Sequence, residues 1–162
     1  MDFSQSPVCL FIENKRISDL DVIRKATNND SPVIKKLMQS EPGFWKNSWQ
    51  DNVIDQGIKS ANGLAFVRVE SGQIFGSICV HDLGFRACLS ELIVKDSARN
   101  IGVDKKLIRH IENELRTRRG CKVLISDVWR GAESVYRSLG WTEPDVVLLR
   151  KKLTPKNEVI KV

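Results

Sequence analysis

Arg99-Asn100-Ile101-Gly102-Val103-Asp104 joins an apolar run, Leu89 to Val94, to a segment whose apolar residues recur at helical spacing. Val103, Leu107, Ile108, Ile111 and Leu115 fall on one face of a 3.6-residue helix. The stretch therefore reads as strand, short loop and helix. A loop entering a helix presents backbone N–H groups that have no carbonyl one turn back, at the positive end of the helix dipole. Such a terminus suits phosphate oxygens, and Arg99, Lys105 and Lys106 add positive charge around it. The same residues also describe an ordinary strand–helix turn with basic residues on its surface. The remainder of the chain has to separate the two readings.

Working outward, Asp21 to Ala26 reads as a first strand. Asn29-Asp30-Ser31-Pro32 is a helix start, with a capping side chain and a proline in the first turn. Glu41-Pro42-Gly43 ends that helix. A second helix is expected to carry Phe44, Trp45, Trp49, Val53, Ile54 and Ile58 on its apolar side and to end near Ser60 to Gly63. Leu64 to Glu70 and Gln73 to His81 read as a hairpin turned at Ser71-Gly72. Arg86 to Val94 is the fourth strand. The Val103 helix runs to Arg119 and is capped by Gly120. Cys121 to Ser126 reads as a buried strand, Gly131 to Leu139 as a helix closed by Gly140, and Val146 to Leu153 as a last strand. This order describes an α/β (α+β) fold with a mixed sheet. It is unlike a dinucleotide-binding doubly wound fold, because the loop follows the fourth strand instead of opening the chain.

The chain has 162 residues, enough for one domain with a real core. Residues 1–20 are expected to be an extension with a short strand around Val8 to Ile12, residues 21–153 the domain, and residues 154–162 a polar tail. Twenty-six Lys and Arg against 20 Asp and Glu give a net charge of +6, which favours anionic partners. The basic residues are scattered, with small clusters only at Arg116-Thr117-Arg118-Arg119 and Arg150-Lys151-Lys152, which argues against nucleic acid. Cys9, Cys79, Cys88 and Cys121 show no paired spacing, so they read as reduced thiols of a cytoplasmic protein and no metal is expected. Val8 to Ile12 is too short for a signal segment, and no run reaches the length of a membrane span.

Three features together resemble the GNAT superfamily of acetyl-CoA-dependent N-acetyltransferases: the strand Glu91-Leu92-Ile93-Val94-Lys95, the loop–helix Arg99 to Leu107, and Ala132-Glu133-Ser134-Val135-Tyr136-Arg137-Ser138-Leu139-Gly140-Trp141. The loop is similar to that family's Arg-x-x-Gly-x-Gly/Ala signature. The resemblance covers residues 21–153. It implies a mixed, mostly antiparallel sheet whose fourth and fifth strands splay apart around the pantetheine arm. Backbone groups of Leu92, Ile93 and Val94 would then pair with that arm. N–H groups of Arg99, Asn100, Ile101, Gly102, Val103, Asp104 and Lys105 would surround the pyrophosphate. Asp104 departs from the family's small residue. A full charge ~5 Å from a phosphate costs roughly 3 kcal/mol at an effective dielectric of about 20. Asp104 either points outward and caps the helix, or is offset by Arg99, Lys105 and Lys106. Trp129 replaces the family's asparagine three residues before Ala132, a role Asp127 could take over.

Transfer of an acetyl group to nitrogen needs a neutral amine, a polarised carbonyl and a proton for the departing thiolate. The resemblance places the Tyr136 hydroxyl near the CoA sulfur as the acid; the competing reading packs it beside Val135 and Leu139. Glu91, sharing a strand face with Leu89 and Ile93 under strict alternation, is the candidate base or water relay. Otherwise it is a surface or salt-bridged glutamate. His81 is a weaker base candidate, and His110 reads as solvated. Cys88 reads as packing and not as a covalent acetyl carrier. The acceptor pocket is expected between the first two helices and the second and third strands. There Phe44, Trp45 and Trp49 are either core or an aromatic wall, and Asp51, Asp55 and Asp82 either attract a cationic amine or form a wet face. The expected activity is N-acetylation of a primary amine on a small molecule or a peptide, through a direct ternary complex. A non-catalytic CoA- or anion-binding module on the same fold is the alternative, and a homodimer stays open.

Overall fold

The computed structural model describes residues 21–151 and 153; the expected strand around Val8 to Ile12 and the polar tail lie outside the described residues. The chain divides into two compact units between Ser126 and Asp127. The first contains β1 (Val22–Lys25), α1 (Ser31–Ser40), α2 (Val53–Ser60), β2 (Ala65–Glu70), β3 (Gln73–Asp82), β4 (Ala87–Val94), α3 (Val103–Glu114) and β5 (Leu124–Ser126). The second contains α4 (Glu133–Ser138).

Local chemistry explains the boundaries. Pro32 lies in the first turn of α1, and just before it the Asp30 carboxylate accepts the Thr27 N–H and both terminal nitrogens of Arg24, each at 2.8 Å. The β2–β3 turn puts both Ser71 (φ 48°) and Gly72 (φ 75°) in the left-handed region, the geometry that matches strand twist in a two-residue hairpin. Past its regular turns, α3 widens into one π-helical turn, Leu115–Arg119, and ends at Gly120 with φ 63°.

The sheet runs β1-β2-β3-β4-β5, antiparallel through β4 and parallel between β4 and β5. One face carries α3, whose Val103, Leu107, Ile108 and Ile111 are fully buried. Burying each such side chain contributes about 1.5–3 kcal/mol. Phe66, Ile78, Val80 and Leu89 meet α3 from the sheet, and Gly76 lets the helix approach closely, its would-be Cβ 3.0 Å from Leu107 Cδ1 and Val103 Cγ1. The opposite face, with Ala65, Ser77 and Cys79, lies under α1 and α2.

A bulge interrupts β4. Cys79 faces Glu91 and Val80 faces Leu89, so Ser90 has no residue across from it. Strict alternation places Leu89 and Glu91 on one face; the extra residue puts Leu89 on the α3 side and turns Ser90 and Glu91 toward α1 and α2.

Several sequence expectations are corrected. Residues 44–52 form turns and not a helix: Trp49 N–H bonds Lys46 O and Val53 N–H bonds Gln50 O, short closures favoured where Asn, Ser and Asp side chains compete for the backbone. The fifth strand starts at Leu124, because Cys121 N–H still closes the preceding helix on Leu115 O, and its residues are only half-buried. Val146 to Leu153 forms no strand among the described residues, and Val146 to Leu149 are 73–85% exposed. An apolar, β-favouring run becomes a strand by packing on neighbours, and here composition alone did not provide them.

Candidate functional site

The last paired residues of β4 and β5 are Leu89 and Ser126, where Ser126 Oγ also donates to Leu89 O at 3.2 Å; β4 then runs on through Val94. Backbone groups alternate sides along a strand. Lys95 N–H points back to Phe75 O on β3 (2.8 Å), so the backbone groups of Val94 and Leu92 face the other way, along the edge that β5 has left. Ile93 faces β3 with its backbone and buries its side chain. That open edge is a strand-shaped seat for an amide-bearing chain.

Immediately downstream, a 3-10 turn (Asp96–Ala98) leads through extended Arg99 to Asn100 at φ 63° and Gly102 at φ 81°, the N-cap of α3. Ile101 is exposed and Val103 is buried under the sheet. Asp104 is the second residue of α3, after the Gly102 N-cap, and its Oδ1 accepts the Lys105 N–H at 2.7 Å, on one of the donors expected to meet phosphate. Two of the three flanking cations are engaged as well. Arg99 pairs with Glu41 and with Asp96 (2.7 Å), and Lys106 Nζ lies 3.3 Å from Asp21 Oδ2.

On the α1/α2 side of the sheet, a cavity of about 170 Å³ opens beside Glu91. Its walls are largely apolar, with Phe44 and Trp49 from the turns before α2, Ile54 and Gly57 from α2, and Ser77 and Cys79 from β3. Glu91 Oε1 is buried without a hydrogen-bond partner. Burial pushes the Glu91 carboxyl up to about 7, and the Ser77 hydroxyl offsets only part of this by favouring the ionised form. Burial also pushes the Cys79 thiol up to about 11, with Glu91 adding to it, so Cys79 stays protonated and unreactive near neutrality. A larger depression of about 710 Å³ lies by α1 and the β2–β3 turn, but its charged groups include the paired Arg24 and Asp30, and no unpaired buried acid or base opens on it.

The other candidates fall as follows. His81 lines the cavity and shares a 2.9 Å hydrogen bond with Ser60 Oγ. Asp51 pairs with Lys35, Asp55 accepts the Ser31 hydroxyl, and Asp82 accepts the Gly84 N–H; none of the three lines the cavity. Trp45 packs edge-on against Trp49 beneath Lys35 Nζ. His110 is not solvated: its ring meets Phe66 edge-on at 4.5 Å and Nε2 is buried without a partner. Cys88 is half-buried on β4. Ser77 and Ser90 carried no sequence signal, since a strand serine is silent until the bulge is known. Gly57 did carry one, as a glycine inside a helical pattern.

In the second unit, Tyr136 is buried on α4 with its ring edge-on to Trp141 at 5.0 Å. Gly140 at φ 87° turns the chain so that Trp141 N–H bonds Tyr136 O. Trp129 is half-exposed, and its carbonyl accepts the Ala132 N–H at 2.8 Å. Among the described residues no cluster of His, Cys, Asp and Glu could hold a metal ion, and no helix is long and apolar enough to cross a membrane.

The model of the acetyltransferase (GNAT) family matches residues 32–141. No curated protein sequence matches the chain. Among solved structures, a transcriptional regulator from Bacillus halodurans C-125 is similar with a TM-score of 0.68 at 16% identity, over 83% of this chain and 100% of that one. The ribosomal-protein-S18-alanine N-acetyltransferase from Escherichia coli gives 0.65 at 22% identity, over 77% and 79%. The aminoglycoside N-acetyltransferase AAC(6')-Iy in complex with CoA gives 0.62 at 21%, over 81% and 93%. At such identities the likeness is one of fold.

Proposed function

Because the chain belongs to the GNAT acetyltransferase family, we propose that it transfers the acetyl group of acetyl-CoA to a primary amine in a direct ternary complex. The observation that carries this reading is Glu91: a carboxylate with a buried, unpartnered oxygen, poised near neutrality, opening on a cavity beside the free edge of β4. A base for an ammonium must be ionised at working pH yet basic enough to take the proton, and a pKa near 7 meets both demands.

On this reading Leu92 and Val94 hold the pantetheine amides through their backbone, and the loop from Arg99 to Lys105 receives the pyrophosphate. The donor supplies an activated acyl carbon. Glu91, directly or through a water, takes one proton from the ammonium and passes it to solvent, freeing the lone pair that forms the new C–N bond, and then takes the second proton that the nitrogen sheds as the amide forms. As the C–S bond breaks, Tyr136 donates its phenolic proton to the thiolate, two groups of comparable basicity. The products are an amide and the free thiol, with the proton on Glu91 returned to solvent and Tyr136 reprotonated. A binding module without turnover is the second reading, and Asp104, whose carboxylate lies on the Lys105 N–H, marks where this loop departs from the family's.

Two measurements separate these readings. Millimolar acetyl-CoA should raise Tm by several degrees, as mass action requires of a ligand in excess of its Kd. Free thiol should then appear when amines are added. Stabilisation without thiol release across a broad amine and peptide panel selects the binding module, and no stabilisation removes CoA from the account.

A further inference from the structure

Gly57 stands in the middle of α2 for no reason that conformation or packing supplies. The residue lies in regular helix, where alanine is the better former. A Cβ built on it meets nothing within 4 Å. Gly76 is the contrast, since a Cβ there meets α3 and the Ile93 carbonyl. A side chain at Gly57 would thus enter open space, and Gly57 lines the Glu91 cavity, where the Cys79 thiol points toward Gly57 O at 3.7 Å.

Charge narrows what the space can hold. Glu91 is the one carboxylate among the residues lining the cavity. Asp51, Asp55 and Asp82, the acids nearest in sequence, do not line it. One ammonium can be balanced there. A second one held within the apolar walls would be desolvated without a partner. Size narrows it further: about 170 Å³ between largely apolar walls suits a short carbon stem.

Resting on the transferase reading above, we infer that the acceptor is a primary monoamine on a slim apolar stem, and that Gly57 sets the width of that stem. The amine lies against Glu91, and the stem fills the space bounded by Gly57, Ile54 and Trp49. A free alkylamine and the amino end of a polypeptide with a small apolar first residue share this chemistry.

The test pairs butylamine with 1,3-diaminopropane, which has the same chain length but a second amine in place of the methyl group. An alanine-initiated tripeptide provides the polypeptide arm. Thiol release and calorimetric binding are measured on the full chain, as wild type, Gly57→Ala and Gly57→Leu. Gly57→Ala should fold at least as well as wild type and reports on narrowing without risk to the helix. The expected result is a kcat/KM for butylamine roughly tenfold or more above that for the diamine, and an amine KM raised stepwise, to roughly tenfold in Gly57→Leu. The KM for acetyl-CoA should stay within about twofold. A peptide that outperforms butylamine, with the same dependence on Gly57, bears out the inference and assigns the stem to a polypeptide. A diamine used as well as butylamine, or an amine KM indifferent to residue 57, overturns it while leaving the transferase intact. If no amine is acetylated but butylamine binding still falls from wild type to Gly57→Leu, the site stands and the transferase reading fails. Loss of both signals in wild type overturns the inference.

Discussion

Glu91 draws its basicity from one unpartnered oxygen under α1 and α2, and the sign of its effect on stability follows from that. Its carboxyl titrates near 7 in the fold against 4.5 for the ordinary side chain, so the native state holds the proton over a range where the unfolded chain releases it. Stability therefore falls as pH rises through the interval from about 4.5 to 7, by about 3 kcal/mol in total. Glu91→Gln removes this dependence. Urea unfolding should show the variant no more stable than wild type near pH 4.5 and more stable by up to about 3 kcal/mol at pH 8. Turnover should move the other way, dropping roughly a hundredfold at pH 8 and losing the limb near 7 in the pH–rate profile. A variant that keeps that limb assigns the base elsewhere, with His81 the nearest alternative in the cavity. Asp104 offers a second test at this scale. Its carboxylate competes for the Lys105 N–H, so Asp104→Ala should tighten acetyl-CoA binding roughly tenfold by calorimetry, a solvent-discounted share of the charge repulsion. The same change removes an acid from the first helical turn, at a cost of about 0.3–1 kcal/mol. Unchanged or weaker binding leaves Asp104 as a helix-end residue alone.

At the scale of elements, the close approach of α3 to β3 couples the core to the loop that starts that helix. In Gly76→Ala the new methyl would lie 3.0 Å from Leu107 Cδ1 and Val103 Cγ1, and 3.1 Å from Ile93 O. The two side-chain ends can shift; the carbonyl, held in β4, cannot do so cheaply. A loss of about 1–3 kcal/mol is expected. Because Val103 is the first residue of α3, acetyl-CoA affinity should fall with Tm. Thermal unfolding with and without acetyl-CoA checks both, and a lower Tm with unchanged affinity would uncouple the loop from this contact. The α3 register was readable in advance, since Val103, Leu107, Ile108 and Ile111 repeat at helical spacing and are buried as that spacing requires. So were the Ser71-Gly72 turn and the α1 start, where residue type dictates backbone geometry. The bulge at Ser90 was not: it arises between two strands, and nothing in Leu89-Ser90-Glu91 announces it. Glu91 was found for its residue type, while the face it occupies and the apolar cavity before it depended on that pairing. Val146 to Leu153 failed for the related reason that strand formation is decided by neighbours.

For the whole molecule, a net charge of +6 acts on the two substrates in opposite directions. A polyanionic donor is drawn toward the chain, and a cationic amine is held off. Close pairing at the loop does not dominate this field, because Arg99 is already turned onto Glu41 and Asp96, and Lys106 lies beside Asp21. The attraction is thus a long-range sum over scattered lysines and arginines, the kind that salt screens once the Debye length shrinks from about 10 Å at 0.1 M toward 3 Å at 1 M. Between 0.05 and 0.5 M sodium chloride, the KM for acetyl-CoA should rise roughly threefold or more, while the KM for butylamine stays level or falls. The opposed slopes are the informative outcome. Parallel slopes would report a general effect of salt on the fold, and a flat response for acetyl-CoA would mean that local contacts at β4 and the α3 start carry its binding without help from the charge of the chain.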